Sequence, residues 1–463
     1  MSGLRRELSD AIGDPDRVSE GDSIRVLHSA DLSPNPPRLP DLVVFPTSIE
    51  EISAVLAIAS EQRVPVTPFG AGTSTDGHII PLEGGISLDL SGMDRILALR
   101  SEDHTATVEA GVLRESLNRA AGPQGLFFPV DPGADASLGG MAATNASGTT
   151  TVRYGAMRQQ VLGLTVVLPS GEVVRTGGRA MKSSSGYELG GLFVGSEGTL
   201  GVIAELTLRL YAIPEHVIAA QAFFADLDSA CEAARALVAV GASVNRVELL
   251  DGESMRAINN FKQLGLPESP CLFLEFAGSP AATEEDAALA REVVEEYGCS
   301  EFAVETDHTA RVRLWQARHD ITFAIAEAQK GGRLQATDVC VPISELPRAI
   351  RAARETADRL EIDVAIVGHV GDGNYHVVHL FDADDPEQAR RAKVLKTEIF
   401  EEALACGGTC SGEHGIGIGK IDELAVEHGD LLPLMRGIKQ VIDPNWIMNP
   451  GKVLLPDPPD HPR

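Results

Sequence analysis

The sequence lacks the features that would place it in a membrane or in a disulfide-rich class. It has no run of about 18 apolar residues, so we expect no membrane span. Its six cysteines form no CxxC pair, which favours reduced thiols over a disulfide framework. Residues 1–18 mix acids with arginines and contain no apolar core, so we expect neither a signal peptide nor a transit peptide. A cytoplasmic location is therefore predicted.

Basic residues are also scarce. The chain of 463 residues carries 39 Lys and Arg against 67 Asp and Glu, a net charge of −28. Such a surface repels nucleic acid and anionic membranes, so we expect no nucleic-acid partner. The hydrophobic fraction of 43% and the charged fraction of 23% are ordinary for a soluble enzyme, and the length allows two or three domains.

Three familiar signatures are missing. No HExxH zinc motif occurs. The loop Pro68–Ser74 has no third glycine and no following helix, so it is not a GxGxxG dinucleotide fingerprint. The segment Gly415–Lys420 looks like a P-loop, but His414 stands where a glycine is required and Ile421 replaces the Ser or Thr. Nucleotide hydrolysis is therefore excluded.

The segment from Gly368 to His376 contains two histidines, which are candidate metal ligands. Two strand-like runs flank the turn residues Gly-Asp-Gly-Asn, so the turn can bring His369 and His376 to one point. Two converging imidazoles suit a divalent transition metal, and Glu413 beside His414 offers a third ligand. A single buried histidine is more often a hydrogen-bonded core residue. The grouping within glycine-rich turns favours the metal site.

Three glycine clusters provide backbone N–H groups for an extended ligand. They are Pro68–Ser74, the stretch from Pro129 through Gly148, and Val194–Gly201. A glycine-rich loop that follows a strand can bind a phosphate through several backbone N–H groups. The alternatives are simple turns for the first cluster and a packing seam of small residues for the second.

Local patterns also predict individual elements. Ser48 with Glu51 makes a capping box before a helix. After Pro214, strands and helices alternate in an α+β arrangement. A long helix is predicted over Thr309–Gln329, then a strand over Leu334–Val341 and a helix capped by Ser344.

These motifs resemble a known family. The three glycine clusters resemble the FAD domain of the vanillyl-alcohol-oxidase/p-cresol-methylhydroxylase superfamily. Gly368–His376, Gly408–Lys420 and Asn449–Val453 are similar to its D-2-hydroxy-acid dehydrogenase branch. Thr337–Ser344 is most similar to the cytochrome-type D-lactate dehydrogenases. The resemblance extends from about Pro40 to Leu454.

The resemblance implies an α+β fold with a two-subdomain FAD-binding domain of the vanillyl-alcohol-oxidase type and an α+β cap domain with an antiparallel sheet. It divides the chain into a lead over 1–37, an FAD-binding domain over 38–215 and a cap over 216–405. Residues 406–463 would return to the FAD domain and complete the active site.

The resemblance also implies the cofactors and their residues. FAD would be held noncovalently, and His369, His376 and Glu413 would bind one divalent metal, zinc or manganese. His414 would be the catalytic base, and Arg318, Thr322 and His414 would contact the substrate. The residues expected to line the FAD site are Pro68, Gly70, Ala71, Gly72, Thr73, Ser74, Pro132, Gly133, Thr144, Asn145, Gly148, Glu197, Gly198, Ile203 and Asn449.

The implied reaction is the oxidation of a D-2-hydroxy monocarboxylic acid, D-lactate above all, to the 2-oxo acid, with electrons passing from FAD to cytochrome c, a quinone, an electron-transfer flavoprotein or oxygen. Ala336 and Val378 replace a lysine and an asparagine of the D-2-hydroxyglutarate enzymes, which favours a monocarboxylate. The alternatives are a D-2-hydroxyglutarate or glycolate dehydrogenase, an alkylglycerone-phosphate-synthase-like transferase, and a noncatalytic flavin-binding subunit.

Overall fold

The helices and strands are taken from a computed structural model, which describes residues 2–328 and 332–455. The helices are α1 Ser2–Ile12, α2 Asp22–Leu27, α3 Ile49–Gln62, α4 Arg114–Ala121, α5 Leu138–Thr144, α6 Thr151–Tyr154, α7 Met157–Gln160, α8 Gly190–Phe193, α9 Leu227–Ala239, α10 Gly252–Lys262, α11 Pro280–Glu296, α12 His308–His319, α13 Ile321–Ala328, α14 Leu346–Arg359, α15 Pro386–Ala405, α16 Ile421–His428 and α17 Leu432–Ile442.

The strands are short and spread over the whole described chain. They are β1 Val18–Ser19, β2 Leu42–Val44, β3 Val66–Phe69, β4 Ile86–Asp89, β5 Ile96–Arg100, β6 Thr105–Glu109, β7 Leu126–Phe127, β8 Val161–Val167, β9 Val173–Gly177, β10 Val202–Arg209, β11 Tyr211–Ala212, β12 His216–Phe223, β13 Val244–Leu250, β14 Cys271–Gly278, β15 Glu301–Glu305, β16 Arg333–Ala336, β17 Val339–Cys340, β18 Ala365–Gly368 and β19 Asn374–Phe381. Mixed helix and largely antiparallel sheet confirm the α+β prediction.

The first of two compact units comprises Met1–Ser147, Gly155–Ile213 and Glu413–Arg463. It contains a four-stranded sheet in the order β1-β2-β4-β3 and an antiparallel five-stranded sheet in the order β5-β6-β10-β8-β9. The C-terminal segment belongs to this unit, because Val66 donates to Ile447 O at 2.8 Å and Asn449 N donates to Val66 O at 2.8 Å.

The second unit comprises Gly148–Tyr154 and Pro214–Gly412. Its antiparallel sheet runs in the order β15-β12-β14-β13-β18-β19-β16, and β17 pairs with β19. One face packs against buried apolar residues of α9, α11, α14 and α15, and the other against those of α10, α12 and α13. Because side chains alternate along a strand, β12, β13, β14, β18 and β19 contribute to both cores. The sheet therefore lies between two helical layers.

Three local predictions need correction. The strand predicted over Leu334–Val341 is interrupted between β16 and β17, where Thr337 Oγ1 accepts from Val377 N at 3.0 Å instead of continuing the ladder. The helix predicted over Thr309–Gln329 forms α12 and α13, separated at Asp320, and Gln329 lies outside the described residues. Ser344 does not cap α14, whose N-cap is Glu345.

The capping box at α3 is only half formed. Ser48 Oγ accepts from Glu51 N at 3.3 Å, as predicted. The Glu51 carboxylate instead accepts from Thr47 N at 2.7 Å and from both terminal nitrogens of Arg17 at 2.7 Å. The cap therefore also anchors a segment within residues 1–37. That segment includes α1, whose apolar face buries Leu4.

No helix within residues 2–328 and 332–455 combines the length and apolarity that crossing a membrane requires.

The buried His379 on β19 predicts a pH dependence of stability. Burial lowers the pKa of His379 to about 4, whereas a histidine in an unfolded chain titrates near 6.5. The unfolded chain therefore binds one more proton between these values, and the free energy of unfolding falls by about 3 kcal/mol as pH drops from 6.5 to 4. In urea unfolding at pH 7 and pH 5, His379→Leu should lose less stability on acidification than the parent. Equal losses in the two proteins would contradict this assignment.

Candidate functional site

The hairpin of β18 and β19 brings the two predicted histidines together. Val367 pairs with His376 across the hairpin, and His369 lies in the connecting turn. The ring centroids of His369 and His376 are 5.7 Å apart, with the rings nearly perpendicular. The turn depends on Gly373, which has a φ of +88° and whose added Cβ would lie 2.0 Å from Val341 O. A larger residue there would strain the turn.

Hydrogen bonds define the tautomer of each histidine. His376 Nδ1 lies 2.9 Å from the carbonyl oxygen of Thr337. His369 Nδ1 lies 2.8 and 3.0 Å from the two carboxylate oxygens of Glu248. These oxygens only accept, so each Nδ1 carries the proton and donates it, and Nε2 carries the lone pair of the neutral ring. Both imidazoles are therefore prepared to ligate a metal through Nε2.

Glu248 connects His369 to the predicted substrate arginine. Arg318 on α12 donates to Glu248 Oε2 from Nε at 2.8 Å, and its Nη2 lies 2.6 Å from the same oxygen. Arg318 is buried, which excludes the alternative of a solvent-exposed helix arginine. Thr322, on the next helix, is exposed. The structure thus brings Arg318 beside His369 and leaves Thr322 on the surface of α13.

Asp338 attaches the segment that precedes Glu413 to the hairpin. Its carboxylate accepts from Asn374 Nδ2 at 3.0 Å and from Ser411 Oγ at 2.8 Å. Its carbonyl oxygen accepts from Gly412 N at 3.3 Å. A Cβ on Gly412 would lie 2.1 Å from Asn374 Nδ2, so the close approach requires glycine. The chain is therefore fixed beside the hairpin up to Gly412.

Glu413 and His414 follow directly in the chain and belong to the first unit. Glu413 Oε2 accepts from Ser147 Oγ at 2.8 Å. His414 has two carboxylate neighbours, with Nδ1 at 4.0 Å from Asp76 Oδ2 and Nε2 at 3.8 Å from Glu413 Oε1. Lys420 Nζ lies 3.6 Å from Asp76. His414 is thus a partly exposed imidazole with carboxylates near both ring nitrogens.

Glu197 holds the loop after His414 in place. Its carboxylate accepts from Ile416 N and from Gly417 N, both at 2.7 Å, and lies 3.2 Å from His78 Nε2. Burial alone would raise the pKa of Glu197, but His78 and the two N–H groups outweigh it and lower that pKa. Burial would likewise lower the pKa of His78, but Glu197 raises it. The pair is charged and structural, and the Glu197 backbone is also paired, because its N–H donates to Ala143 O at 2.8 Å.

The loop Pro68–Ser74 has the properties of an anion site. In the described chain, the backbone N–H groups of Ala71, Gly72 and Thr73 donate to no protein acceptor. Gly72 has a φ of +71°, and a Cβ on Gly70 would lie 2.4 Å from Ser137 Oγ. Adjacent unpaired N–H groups in a glycine loop form a concavity that suits a phosphate. The loop therefore fits the pyrophosphate of FAD.

The structure brings other predicted cofactor residues to the same part of the first unit. Asn449 Nδ2 donates to Glu197 O at 2.7 Å, and a Cβ on Gly198 would lie 3.0 Å from Pro68. Asn145 is the C-cap of α5 and has a left-handed backbone conformation. The remaining predicted residues occupy separate places: Pro132 and Gly133 precede α5, Thr144 is its last residue, Ile203 lies in β10, and Gly148 belongs to the second unit.

Several functional residues were not predicted. Glu248, Asp76 and Asp338 each contact a predicted site residue or its segment, and Asp338 was predicted only as part of a strand. The one signal for Glu248 is a carboxylate inside an otherwise apolar strand, because buried acids need partners. The group of candidate metal ligands in the described chain is Asp338, His376, Glu413 and His414, so it includes His376 and Glu413 of the predicted ligands but not His369.

Comparison with known families decides the class of the protein. The FAD binding domain model matches residues 40–177, and the model of the FAD linked oxidases, C-terminal domain, matches residues 213–453. The chain belongs to the FAD-linked oxidases. The family predicted from the glycine and histidine motifs is confirmed, as is FAD as its cofactor. The noncovalent attachment stays a prediction.

The most informative relatives are two dehydrogenases and one solved structure. The chain is 45% identical to a probable mitochondrial D-lactate dehydrogenase of Danio rerio, covering 94% of this chain and 89% of that one. It is 43% identical to the mitochondrial D-lactate dehydrogenase [cytochrome] of Arabidopsis thaliana, covering 90% and 74%. The structure of p-cresol methylhydroxylase with bound substrate matches at a TM-score of 0.82 and 18% identity, covering 98% and 96%. That likeness confirms the fold.

One prediction fails in this comparison. A cytoplasmic location was expected from the mixed charges of residues 1–18, but the dehydrogenase relatives are mitochondrial proteins. The prediction of a cytoplasmic protein is therefore wrong. The composition of residues 1–18 was too weak a signal to decide a cellular compartment.

Proposed function

We propose that this protein is an FAD-dependent dehydrogenase that oxidises D-lactate to pyruvate. The relatives that bear this activity in their names cover nearly the whole chain. The observation that carries the proposal is the pair His369 and His376, whose Nδ1 atoms face fixed acceptors, so that the lone pair of each neutral ring lies on Nε2. A metal held by these imidazoles would suit a substrate with adjacent hydroxyl and carboxylate oxygens.

We propose His369, His376 and Glu413 as ligands of one divalent metal, zinc or manganese. Two imidazoles and a carboxylate suit either ion and do not select between them. Glu413 directly follows Gly412 in the chain, and Gly412 N donates a hydrogen bond to the carbonyl oxygen of Asp338. A divalent metal, when bound, lowers the pKa of the substrate hydroxyl. FAD, when bound, accepts the hydride from C2.

The chain's own residues then bind the substrate and move its proton. His414 takes the hydroxyl proton on its imidazole, which has Asp76 at 4.0 Å from Nδ1 and Glu413 at 3.8 Å from Nε2. Arg318 attracts the substrate carboxylate. Since Nε and one edge of Nη2 already face Glu248, the substrate would use Nη1 and the other N–H of Nη2. Two donors in a plane orient a carboxylate.

The apolar pair Ala336 and Val378 supports a monocarboxylate as substrate. The two residues are direct cross-strand partners on β16 and β19. Val378 is buried and lies two residues after His376, hence on the same face of the sheet. A second substrate carboxylate placed against these two apolar side chains would lose its hydration without a compensating partner. We therefore expect kcat/KM to be higher for D-lactate and D-2-hydroxybutyrate than for D-2-hydroxyglutarate. A ratio that favours the dicarboxylate would contradict this expectation.

The proposed function is tested by adding D-lactate to the protein under anaerobic conditions. Bleaching of the flavin absorbance, with formation of pyruvate, is the expected result, and L-lactate is the matched control. An alkylglycerone-phosphate-synthase-like transferase or a noncatalytic flavin-binding subunit would leave the flavin oxidised. Cytochrome c, a quinone analogue, an electron-transfer flavoprotein and oxygen, each added to the reduced protein, then identify the acceptor by the rate of reoxidation.

A further inference from the structure

Glu248 is a fully buried carboxylate in the strand β13, between apolar neighbours. Its two oxygens are shared between a guanidinium and an imidazole. Arg318 approaches Oε2 through Nε at 2.8 Å and Nη2 at 2.6 Å, while His369 Nδ1 lies 2.8 Å from Oε1. A buried acid lowers stability unless it is paired. Packing alone therefore does not explain a carboxylate at this position.

A second ion pair in the same sheet, which is partly buried, shows what packing alone requires. Arg246, two residues before Glu248 on β13, lies 3.1 Å from Glu275 on β14 and stacks on Trp315 of α12 at 4.6 Å. This pair holds the same helix against the same sheet and includes no histidine. The feature that distinguishes Glu248 is its hydrogen bond to His369.

We propose that Glu248 is a positioning residue that orients the metal ligand His369 and the substrate arginine Arg318 together; the inference rests on the metal site proposed above. By accepting the Nδ1 proton, Glu248 fixes the ring orientation and places the lone pair on Nε2. A carboxylate in this position also increases the basicity of the ligand. Because the same carboxylate holds Arg318, it fixes the separation between the metal ligand and the group that binds the substrate carboxylate.

The test is the isosteric substitution Glu248→Gln. Glutamine carries no negative charge and has an NH₂ group in place of one acceptor oxygen, so that NH₂ group must face His369 or Arg318, both of which donate. Titration of the metal-free, FAD-loaded protein with Zn²⁺ and Mn²⁺ should show a roughly 10–100-fold loss of metal affinity. The FAD content should be unchanged, and KM for D-lactate should rise because Arg318 loses its partner.

Glu275→Gln is the matched control, because it breaks a buried arginine–carboxylate pair of the same sheet without touching a histidine. It should keep the metal affinity of the parent. A loss of metal affinity in Glu248→Gln that Glu275→Gln does not share is therefore specific to the bond between Glu248 and His369.

Two results would overturn the inference alone: unchanged metal affinity in Glu248→Gln, or an equal loss of metal affinity in Glu275→Gln. Absence of metal binding by the parent protein would instead overturn the proposed metal site, and this inference with it. Should Glu248→Gln fail to retain FAD, Glu248→Asp replaces it, since the shorter carboxylate cannot reach both partners. A Glu248→Asp protein with full FAD content and the metal affinity of the parent would equally refute the proposal.

Discussion

His414→Ala should slow flavin reduction by D-lactate about 10²–10⁴-fold, the usual effect of removing a general base. The reason is that His414 is the group proposed to take the hydroxyl proton. Asp76 and Glu413 flank His414, at 4.0 and 3.8 Å, but we expect Glu413 to bind the metal. Stopped-flow measurement of the anaerobic reduction reports this step directly.

The substitution should leave both cofactors in place. The loop after His414 is held by the bonds from Ile416 and Gly417 to Glu197, and these do not involve the imidazole. FAD content and metal affinity should therefore equal those of the parent. His428→Ala, on the exposed part of α16, is the matched control and should reduce at the parental rate. A parental rate in His414→Ala would remove His414 from the mechanism.

Local sequence patterns predicted the part of the site that depends on turns. The glycines around His369 and His376 and the adjacent strand-like runs are enough to define a hairpin, and the hairpin brings the rings together. The glycine loop at 70–74 was predicted in the same way. In both cases the relevant geometry spans fewer than ten residues of the chain, so the backbone preferences of glycine decide it.

Contacts between distant parts of the chain could not be predicted in this way. Glu248 precedes its partner His369 by 121 residues and Arg318 by 70. The break between α12 and α13 was missed because the helical periodicity continues through Asp320. In the structure Asp320 forms an ion pair with Lys262 of α10. Such pairings depend on which strands and helices become neighbours, and residue spacing carries no information about that.

The metal site predicts an equally large effect at His376. This residue is buried on β19, and its Nδ1 is bonded to Thr337 O at 2.9 Å, so its ring orientation does not depend on a metal. His376→Ala should abolish stoichiometric binding of Zn²⁺ or Mn²⁺ and reduce turnover of D-lactate to background. FAD should remain bound, because the predicted pyrophosphate loop at 70–74 belongs to the other unit of the chain.

His379→Leu is the matched control for His376→Ala, since it changes a buried histidine of the same strand three residues further on. An odd offset places the two side chains on opposite faces of the sheet. The control should therefore retain metal and activity. Metal content measured on the dialysed proteins, beside turnover and flavin absorbance, distinguishes the outcomes. Loss of FAD together with metal would indicate a folding defect, whereas parental metal content and turnover in His376→Ala would show that His376 is not a ligand. If both variants lose activity to the same extent, the requirement is for an intact β19 and not for an imidazole at position 376.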